Sequence, residues 1–251
     1  MTTTISVIYL AAGYATRLYP LTKDCPKALL PLSRGMILDE IVAAVGRLPG
    51  AHRQILVTNH RFAGQFQQWQ QAAKAPVEVL DDGTETVETR LGAIRDLELA
   101  RIHSGAAGDL LVLGTDNLFD WPLADFVRQA QARGSSATIG LWEAPSLEAV
   151  KQFGVAVLDA EGRITRFVEK SPTPPSALVA LCLYYFPGAM GGRIAQFIRD
   201  GGNPDAPGYF LEWLVKQEPV YGARMRGEWH DIGTLETYQA VATGWRLLAQ
   251  R

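Results

Sequence analysis

Basic side chains and small residues recur where a phosphate-binding site would need them. An apolar run ends in Leu10, Ala11, Ala12 and Gly13, and the loop that follows carries Arg17 and Lys27. Small residues let the backbone approach a ligand closely, and backbone N–H groups, guanidinium and ammonium groups all bind phosphate oxygens. The pattern therefore predicts that this loop, which we name the phosphate loop (residues 11–31), grips a nucleoside triphosphate.

Two aspartates, Asp116 and Asp231, are the candidate metal ligands. Mg²⁺ in proteins typically takes one or two carboxylates together with substrate phosphate oxygens. Each residue also has a purely structural explanation, since Asp116 could end a strand through an Asx turn and Asp231 could cap the last helix. Lys170, which follows Glu169, is a further candidate for binding phosphate.

Several other chemistries find no support in the sequence. It contains no G-x-x-x-x-G-K-[ST] loop, no G-x-G-x-x-G after the first strand and no G-x-S-x-G elbow. Its four histidines show no metal-ligand spacing, and its two cysteines cannot form a disulfide framework. The sequence therefore does not predict a P-loop ATPase, a dinucleotide enzyme, a hydrolase triad or a zinc site.

The composition is that of an ordinary globular protein. The 251 residues are 47% hydrophobic, which is enough for a sizeable core, and the formal net charge is −2. This charge does not favour broad binding to nucleic acid or membranes. No segment approaches membrane-spanning length and the N-terminus lacks the basic start of a signal peptide, so we expect a cytoplasmic protein.

Strands and helices alternate over the first 140 or so residues. Apolar runs predict strands at 5–10, 54–58, 77–80, 109–114 and 137–141, and helical spacing predicts helices at 37–45, 60–74, 88–102 and 122–133. This alternation is typical of a parallel, doubly wound sheet, in which ligands bind beyond the carboxyl ends of the strands. Residues 13–27, 82–84 and 116–117 all follow predicted strands, so we expect them to converge on one crevice.

The pattern becomes richer in strands after Pro145. We predict a hairpin at 155–168, a strand at 177–186, helices at 192–199 and 209–216, and short strands at 220–224 and 228–231. Thr234 caps a final helix that runs toward Leu248. We find no internal repeat and expect no β-helical domain. We expect one domain over 1–251, with a nucleotide-binding part at 1–144 and a smaller β-rich acceptor part with a C-terminal helix at 145–251.

Four blocks of sequence, in this order, resemble the sugar-1-phosphate nucleotidyltransferase family. Residues 10–31 resemble its nucleotide-binding signature, and residues 114–117 (Gly-Thr-Asp-Asn) its metal-binding strand end. Residues 153–155 with 167–170 (Phe-Val-Glu-Lys) resemble its sugar-phosphate segment, and residues 229–234 its second metal carboxylate. The resemblance runs nearly end to end. It implies an α/β fold of the nucleotide-diphospho-sugar transferase type, with a Rossmann-like, mixed and mostly parallel sheet.

The resemblance also implies an activity and a set of site residues. A sugar 1-phosphate would attack the α-phosphorus of a nucleoside triphosphate and release pyrophosphate, with Mg²⁺ on Asp116 and Asp231 and with Arg17 and Lys27 as catalytic residues. The expected nucleotide-binding residues are Leu10, Ala11, Ala12, Gly13, Thr16, Arg17 and Gly92, joined by Asp82 and Gly83 because these follow a strand end nearby. The expected acceptor-binding residues are Asn117, Gly154, Glu169 and Lys170. A homo-oligomer is compatible with the sequence.

The sequence departs from the family pattern at three places. Ala15 stands where the family often has a second glycine, so it must avoid or tolerate a positive φ. Residues 34–36 (Arg-Gly-Met) replace the usual basic–Pro pair. Residues 89–94 look like the base-reading segment with bulkier residues, among them Arg90, so we carry over neither a base nor a particular sugar.

Two other functions stay open. One is a cytidylyltransferase for a non-sugar phosphate such as phosphocholine, although Gly154, Glu169 and Lys170 favour a sugar. The other is a catalytically idle subunit that binds a nucleotide sugar and regulates a partner. Such a subunit would be expected to lose a catalytic lysine or a metal aspartate, and this sequence keeps them all.

Overall fold

The computed structural model of the chain describes residues 5–50, 52–105 and 108–245. The strands in these residues are β1 (Ile5–Leu10), β2 (Arg53–Thr58), β3 (Val77–Asp81), β4 (Asp109–Gly114), β5 (Asn117–Phe119), β6 (Ala137–Glu143), β7 (Gly154–Leu158), β8 (Ile164–Glu169), β9 (Leu178–Phe186), β10 (Val220–Arg224) and β11 (Trp229–Asp231). The α-helices are α1 (Ile37–Gly46), α2 (His60–Ala73), α3 (Ala93–His103), α4 (Leu123–Gln131), α5 (Gly191–Arg199), α6 (Pro207–Leu214) and α7 (Leu235–Ala242).

One mixed sheet forms the centre of the protein, with strand order β10-β6-β9-β4-β1-β2-β3. β4, β1, β2 and β3 run parallel to one another, as do β10 and β6, whereas β9 is antiparallel to β4 and β6. The hairpin of β7 and β8 joins the sheet at β9. The predicted mixed, mostly parallel α/β sheet is therefore confirmed.

The place of β9 corrects a detail of that prediction. The alternation of strands and helices predicts that the first 140 residues build a parallel sheet by themselves, but β9 lies between β4 and β6. Its nine residues are almost all apolar and most of them are buried, as expected for a strand covered on both faces. The second half of the chain therefore contributes a central strand to the same sheet.

Helices cover both faces of the sheet. On β1, Val7 and Tyr9 face a core with α1, α2 and α4, whereas Ile8 faces a core with α3, α5 and α6. The aromatic residues of α2, Phe62, Phe66 and Trp69, are buried in the first of these cores. No helix among the described residues is both long and apolar enough to cross a bilayer.

Several element boundaries differ from the predictions. α3 begins at Ala93 rather than at residue 88, because Gly92 with a φ of 88° breaks the helical path before it. Pro122 precedes α4 instead of being its first residue. α7, capped by Thr234 as predicted, ends at Ala242, and residues 246–248, which the prediction included, lie outside the described residues. The short strand β5 was not predicted.

Candidate active site

A cavity of about 670 Å³ lies at the carboxyl ends of β1 and β4. The structure brings most of the predicted site residues to its wall, namely Leu10, Ala11, Ala12, Gly13, Thr16, Arg17, Lys27, Gly92, Asp116, Asn117, Gly154, Glu169 and Asp231. The predicted residues Asp82, Gly83 and Lys170 are not part of the wall. The convergence on one crevice expected from the strand ends is therefore observed for 13–27 and 116–117, but not for 82–84.

The phosphate loop adopts the tight path that its small residues suggest. Ala15 has φ 48° and ψ 42°, the left-handed conformation that usually favours glycine. The buried hydroxyl of Thr22 donates a hydrogen bond of 2.8 Å to the carbonyl of Ala15. Ala15 therefore tolerates the positive φ. The hydrogen bond from Thr22 to its carbonyl holds the loop in a conformation that a glycine would adopt more easily.

Lys27 reaches the part of the cavity that contains Asp116 and Asp231. It begins a short 3₁₀ helix, and its Nζ lies 2.7 Å from Oδ2 of Asp116. The lysine side chain is only 16% exposed, so this ion pair is better shielded from water than a surface pair. The ammonium group is thereby fixed beside the carboxylate that follows β4.

The unpredicted ribbon of β5 and β11 places the two aspartates next to each other. In its register Asp231 pairs with Asn117, and the backbone N–H of Ile232 donates to the carbonyl of Asp116 at 2.9 Å. The Asn117 side chain links both strands, because it donates to Oδ1 of Asp116 and accepts from Nε1 of Trp229, each at 2.7 Å. A hydrogen-bonded pair of strands therefore brings together residues that are far apart in sequence.

The electrostatics of this pair favour a cation. Burial, together with the charge of Asp116, raises the pKa of Asp231 to about 6, while Lys27 and Arg17 act in the opposite direction. Two neighbouring carboxylates repel each other, and a nearby positive charge reduces this repulsion. Glycines leave room there, since a Cβ at Gly233 would lie 2.5 Å from Oδ2 of Asp231.

The donor set suits magnesium better than a transition metal. Within the described residues, no group of three His, Cys, Asp or Glu side chains could enclose a metal ion. A metal held by two carboxylates alone needs its other ligands from water and from substrate phosphates, which is how Mg²⁺ is commonly bound. The residues present therefore fit Mg²⁺ on Asp116 and Asp231.

Glu169 also lines the cavity, in a space kept open by two glycines. It pairs with Gly154 across the hairpin, and a Cβ on Gly154 would lie 2.6 Å from its Oε2. A Cβ on Gly208, at the start of α6, would lie 1.7 Å from the same oxygen. The Glu169 side chain is only 7% exposed, and burial raises the pKa of its carboxyl group.

Lys170 follows in a less common backbone conformation. Its φ is 49°, and its N–H donates to the carbonyl of Phe153 at 3.1 Å. Its side chain is 55% exposed, with Nζ 3.8 Å from Oε1 of Glu169. The ammonium group is therefore near Glu169 without being part of the cavity wall.

The cavity wall also contains residues that sequence reasoning missed or left open. Arg90 pairs with Asp205 at 3.1 Å and donates to the carbonyl of Val87, so it is held at the cavity wall. Asp96 is buried on α3 and also lines the cavity. The signal in the sequence that could have identified Asp96 is an acidic side chain close to the apolar residues Ile94 and Leu97.

The comparison with known families agrees with this geometry. The sequence profile of the nucleotidyl transferase family matches residues 6–245. The chain therefore belongs to the nucleotidyl transferase family, and the resemblance to sugar-1-phosphate nucleotidyltransferases is confirmed.

Relatives with assigned activities differ in the base that they use. The chain is 27% identical over 253 residues to a glucose-1-phosphate adenylyltransferase of Thermotoga neapolitana, with 93% of this chain and 59% of the relative covered. It is 28% identical over 232 residues to the mannose-1-phosphate guanyltransferase beta-B of Xenopus laevis, with 91% of this chain and 61% of the relative covered. The chain thus spans about three fifths of the length of these relatives.

A solved structure supports the fold. A UDP-glucose pyrophosphorylase complexed with UDP-glucose superposes with a TM-score of 0.78 at 19% identity, covering 95% of this chain and 97% of that one. At this identity the likeness concerns the fold, and it confirms the predicted nucleotidyltransferase type of architecture.

Proposed function

We propose that this protein transfers a nucleoside monophosphate from a nucleoside triphosphate to a sugar 1-phosphate, which yields a nucleotide sugar and pyrophosphate. The observation that carries the proposal is that one cavity joins a phosphate loop, an adjacent pair of aspartates and a buried glutamate between two glycines. The relatives named above supply the chemical class, because their names describe transfer to glucose 1-phosphate or mannose 1-phosphate.

The reaction needs positioning and positive charge more than proton transfer. The attacking phosphate oxygen is already anionic, so the chain does not have to supply a general base. The barrier comes from bringing two anions together and from the charge that develops on the leaving pyrophosphate, which fixed cations and a precise approach reduce. Arg17 and the backbone of the phosphate loop hold the triphosphate, and Lys27 offsets negative charge near the α-phosphate or the leaving group.

Asp116 and Asp231 hold Mg²⁺ in this proposal. When bound, the ion would act as a Lewis acid that offsets the negative charge of the phosphates. Asn117 keeps both strands of the ribbon together through its two hydrogen bonds. Lys27, already paired with Asp116, then lies where a triphosphate bound to the loop meets the metal site.

Glu169 and Lys170 bind the acceptor. The glutamate accepts hydrogen bonds from sugar hydroxyls in the space that Gly154 and Gly208 leave open, and Lys170 turns its exposed ammonium group to the sugar phosphate. We also propose that the nucleotide part (1–144) and the acceptor part (145–251) act as one domain, since β9 lies between β4 and β6. We propose the cytoplasm as its location.

A matrix of nucleoside triphosphates against sugar 1-phosphates, with Mg²⁺, tests the proposal through pyrophosphate release. We expect release with at least one pair, and none when Mg²⁺ is removed by a chelator. Phosphocholine in place of the sugar phosphate tests the non-sugar acceptor. Tight binding of a nucleotide sugar without any release would instead favour a regulatory subunit.

The variant Asp231→Asn distinguishes a role of Asp231 as a metal ligand from a role as a helix cap. It keeps the size of the side chain but removes its charge, so we expect turnover to be lost while the circular dichroism spectrum stays that of the wild type. Unchanged turnover would mean that Asp231 has only a structural role.

A further inference from the structure

The carboxyl group of Asp96, which lines the cavity, meets that of Asp82, which lies outside the cavity wall. Asp82 follows β3, and Oδ1 of its side chain accepts hydrogen bonds from the N–H and the hydroxyl of Thr84, both at 2.7 Å. Asp96, on α3, is 4% exposed and lines the cavity. Among the described residues, no donor reaches Oδ2 of Asp82 or Oδ1 of Asp96, although both atoms are buried.

A single shared proton would satisfy both atoms. A buried acceptor without a partner is costly, whereas a carboxylic acid can donate to a neighbouring carboxylate. Burial, followed by the charge of Asp82, raises the pKa of Asp96 to about 8. Asp96 therefore carries the proton at neutral pH and donates a hydrogen bond to Asp82.

The other charged and titratable groups around this pair are already engaged. Arg90 and Asp205 pair with each other. The hydroxyl of Tyr14 lies 3.4 Å from the carbonyl of Thr84, and burial raises the pKa of this tyrosine, so it stays neutral. Asp82 is thus the group whose charge acts on Asp96.

The surroundings of Asp96 fit a nucleobase. Arg17, Lys27, Asp116 and Asp231 mark the phosphate end of the cavity, and Glu169 marks the acceptor end. The cavity wall also contains small or apolar residues, namely Ala11, Ala12, Gly13, Val87, Gly92 and Ala93. A flat ring packs well against such residues, and Asp96 offers a buried polar atom in the same wall.

We propose that Asp96, supported by Asp82, determines base specificity and selects a base that carries an amino group (adenine, guanine or cytosine) over uracil and thymine. The oxygen of Asp96 that does not share the proton accepts a hydrogen bond from the amino group. In uracil and thymine a carbonyl oxygen takes the place of the cytosine amino group, so two acceptors would face each other. This inference rests on the proposed function for the nature of its ligand.

Calorimetric titration of the whole chain with ATP, GTP, CTP, UTP and dTTP tests the inference. For the wild type at pH 7 we expect at least one amino-bearing triphosphate to bind about 10- to 100-fold more tightly than UTP and dTTP. Asp96→Asn should keep this preference, because its amide donates to Asp82 and still presents an oxygen to the cavity. Asp96→Leu should lose it.

A pH series provides a second readout that does not depend on the leucine variant folding. From pH 7 to 8.5 the wild type should bind its preferred triphosphate several-fold more weakly, since ionised Asp96 and Asp82 repel each other and no longer share the proton that fixes the cavity-facing oxygen of Asp96, whereas Asp96→Asn should change little. A wild type that prefers UTP or dTTP, an Asp96→Leu variant with unchanged preference, or identical pH profiles for wild type and Asp96→Asn would overturn the inference.

Measurements of binding and of turnover together distinguish a failure of this inference from a failure of the proposed function. An amino-base preference in binding without pyrophosphate release for any sugar 1-phosphate would contradict only the proposed transfer. Pyrophosphate release with equal binding of all five triphosphates would contradict only the role of Asp96.

Discussion

Lys27 shows how one side chain can serve both the structure and the proposed chemistry. Its ammonium group is 2.7 Å from Oδ2 of Asp116 and is largely shielded from water. The ion pair neutralises one of two neighbouring carboxylates, which limits their repulsion before any substrate binds. The same positive charge is fixed where a triphosphate would meet the metal site, so little reorganisation is needed when charge develops.

Replacing Lys27 by alanine should therefore reduce catalysis far more than it reduces stability. We expect kcat/KM for pyrophosphate release to fall by the equivalent of about 2–4 kcal/mol, or roughly 30- to 1,000-fold. Lys23→Ala is the matched control, because Lys23 is an exposed lysine of the same loop. A Lys27→Ala variant within twofold of the control would show that Lys27 does not act on the reacting phosphates.

At the scale of elements, the approach of α6 to β8 shapes the acceptor end. The helix begins with Pro207 and Gly208, and the glycine lies directly against the Glu169 carboxylate. A proline is well suited to the first position of a helix, where its missing N–H is not needed. The glycine is required by space, since any side chain there would displace the carboxylate.

Gly208→Ala should consequently weaken binding of the acceptor in particular. We expect KM for the sugar 1-phosphate to rise about tenfold or more, because Glu169 must move from its place, while KM for the nucleoside triphosphate changes little. Gly192→Ala is a suitable control, as a Cβ there meets no atom within 4 Å. Equal acceptor KM values for Gly208→Ala and the control would argue against the role of Glu169.

The elements also show where the sequence was informative. Continuous apolar runs predicted the central strands, and most of the site residues expected from the strand ends and from the family resemblance lie at the cavity wall. β11 was predicted as a short strand at 228–231, but β5 and its pairing with β11 were not, because a three-residue strand gives no periodicity and the pairing joins distant segments. The role of Gly208 could not be predicted either, since it depends on a tertiary contact with Glu169.

At the scale of the whole molecule, the two halves of the chain share one sheet and one cavity. β9 carries strand neighbours from the first half on both sides. The sequence could predict β9 as a strand but not its neighbours, because the side chains of a strand buried on both faces carry no information about pairing order. The cavity likewise has Lys27 and Asp116 from one half and Asp231 and Glu169 from the other.

Unfolding should therefore be a single event for both halves. Urea titrations followed by tryptophan fluorescence and by far-UV circular dichroism should give coincident transitions. A Mg²⁺–nucleotide complex at one hundred times its Kd should raise the free energy of unfolding by about 2.7 kcal/mol. Two separate transitions, with only one shifted by the nucleotide, would mean that the nucleotide and acceptor parts fold independently.

The most direct test of the account is ³¹P NMR of the protein mixed with Mg²⁺, a nucleoside triphosphate and a sugar 1-phosphate. The account predicts that signals of a nucleotide sugar and of pyrophosphate grow in equal amounts, and only when the sugar 1-phosphate is present. Loss of the triphosphate signals to give inorganic phosphate and a nucleoside diphosphate, with no nucleotide sugar, would contradict it.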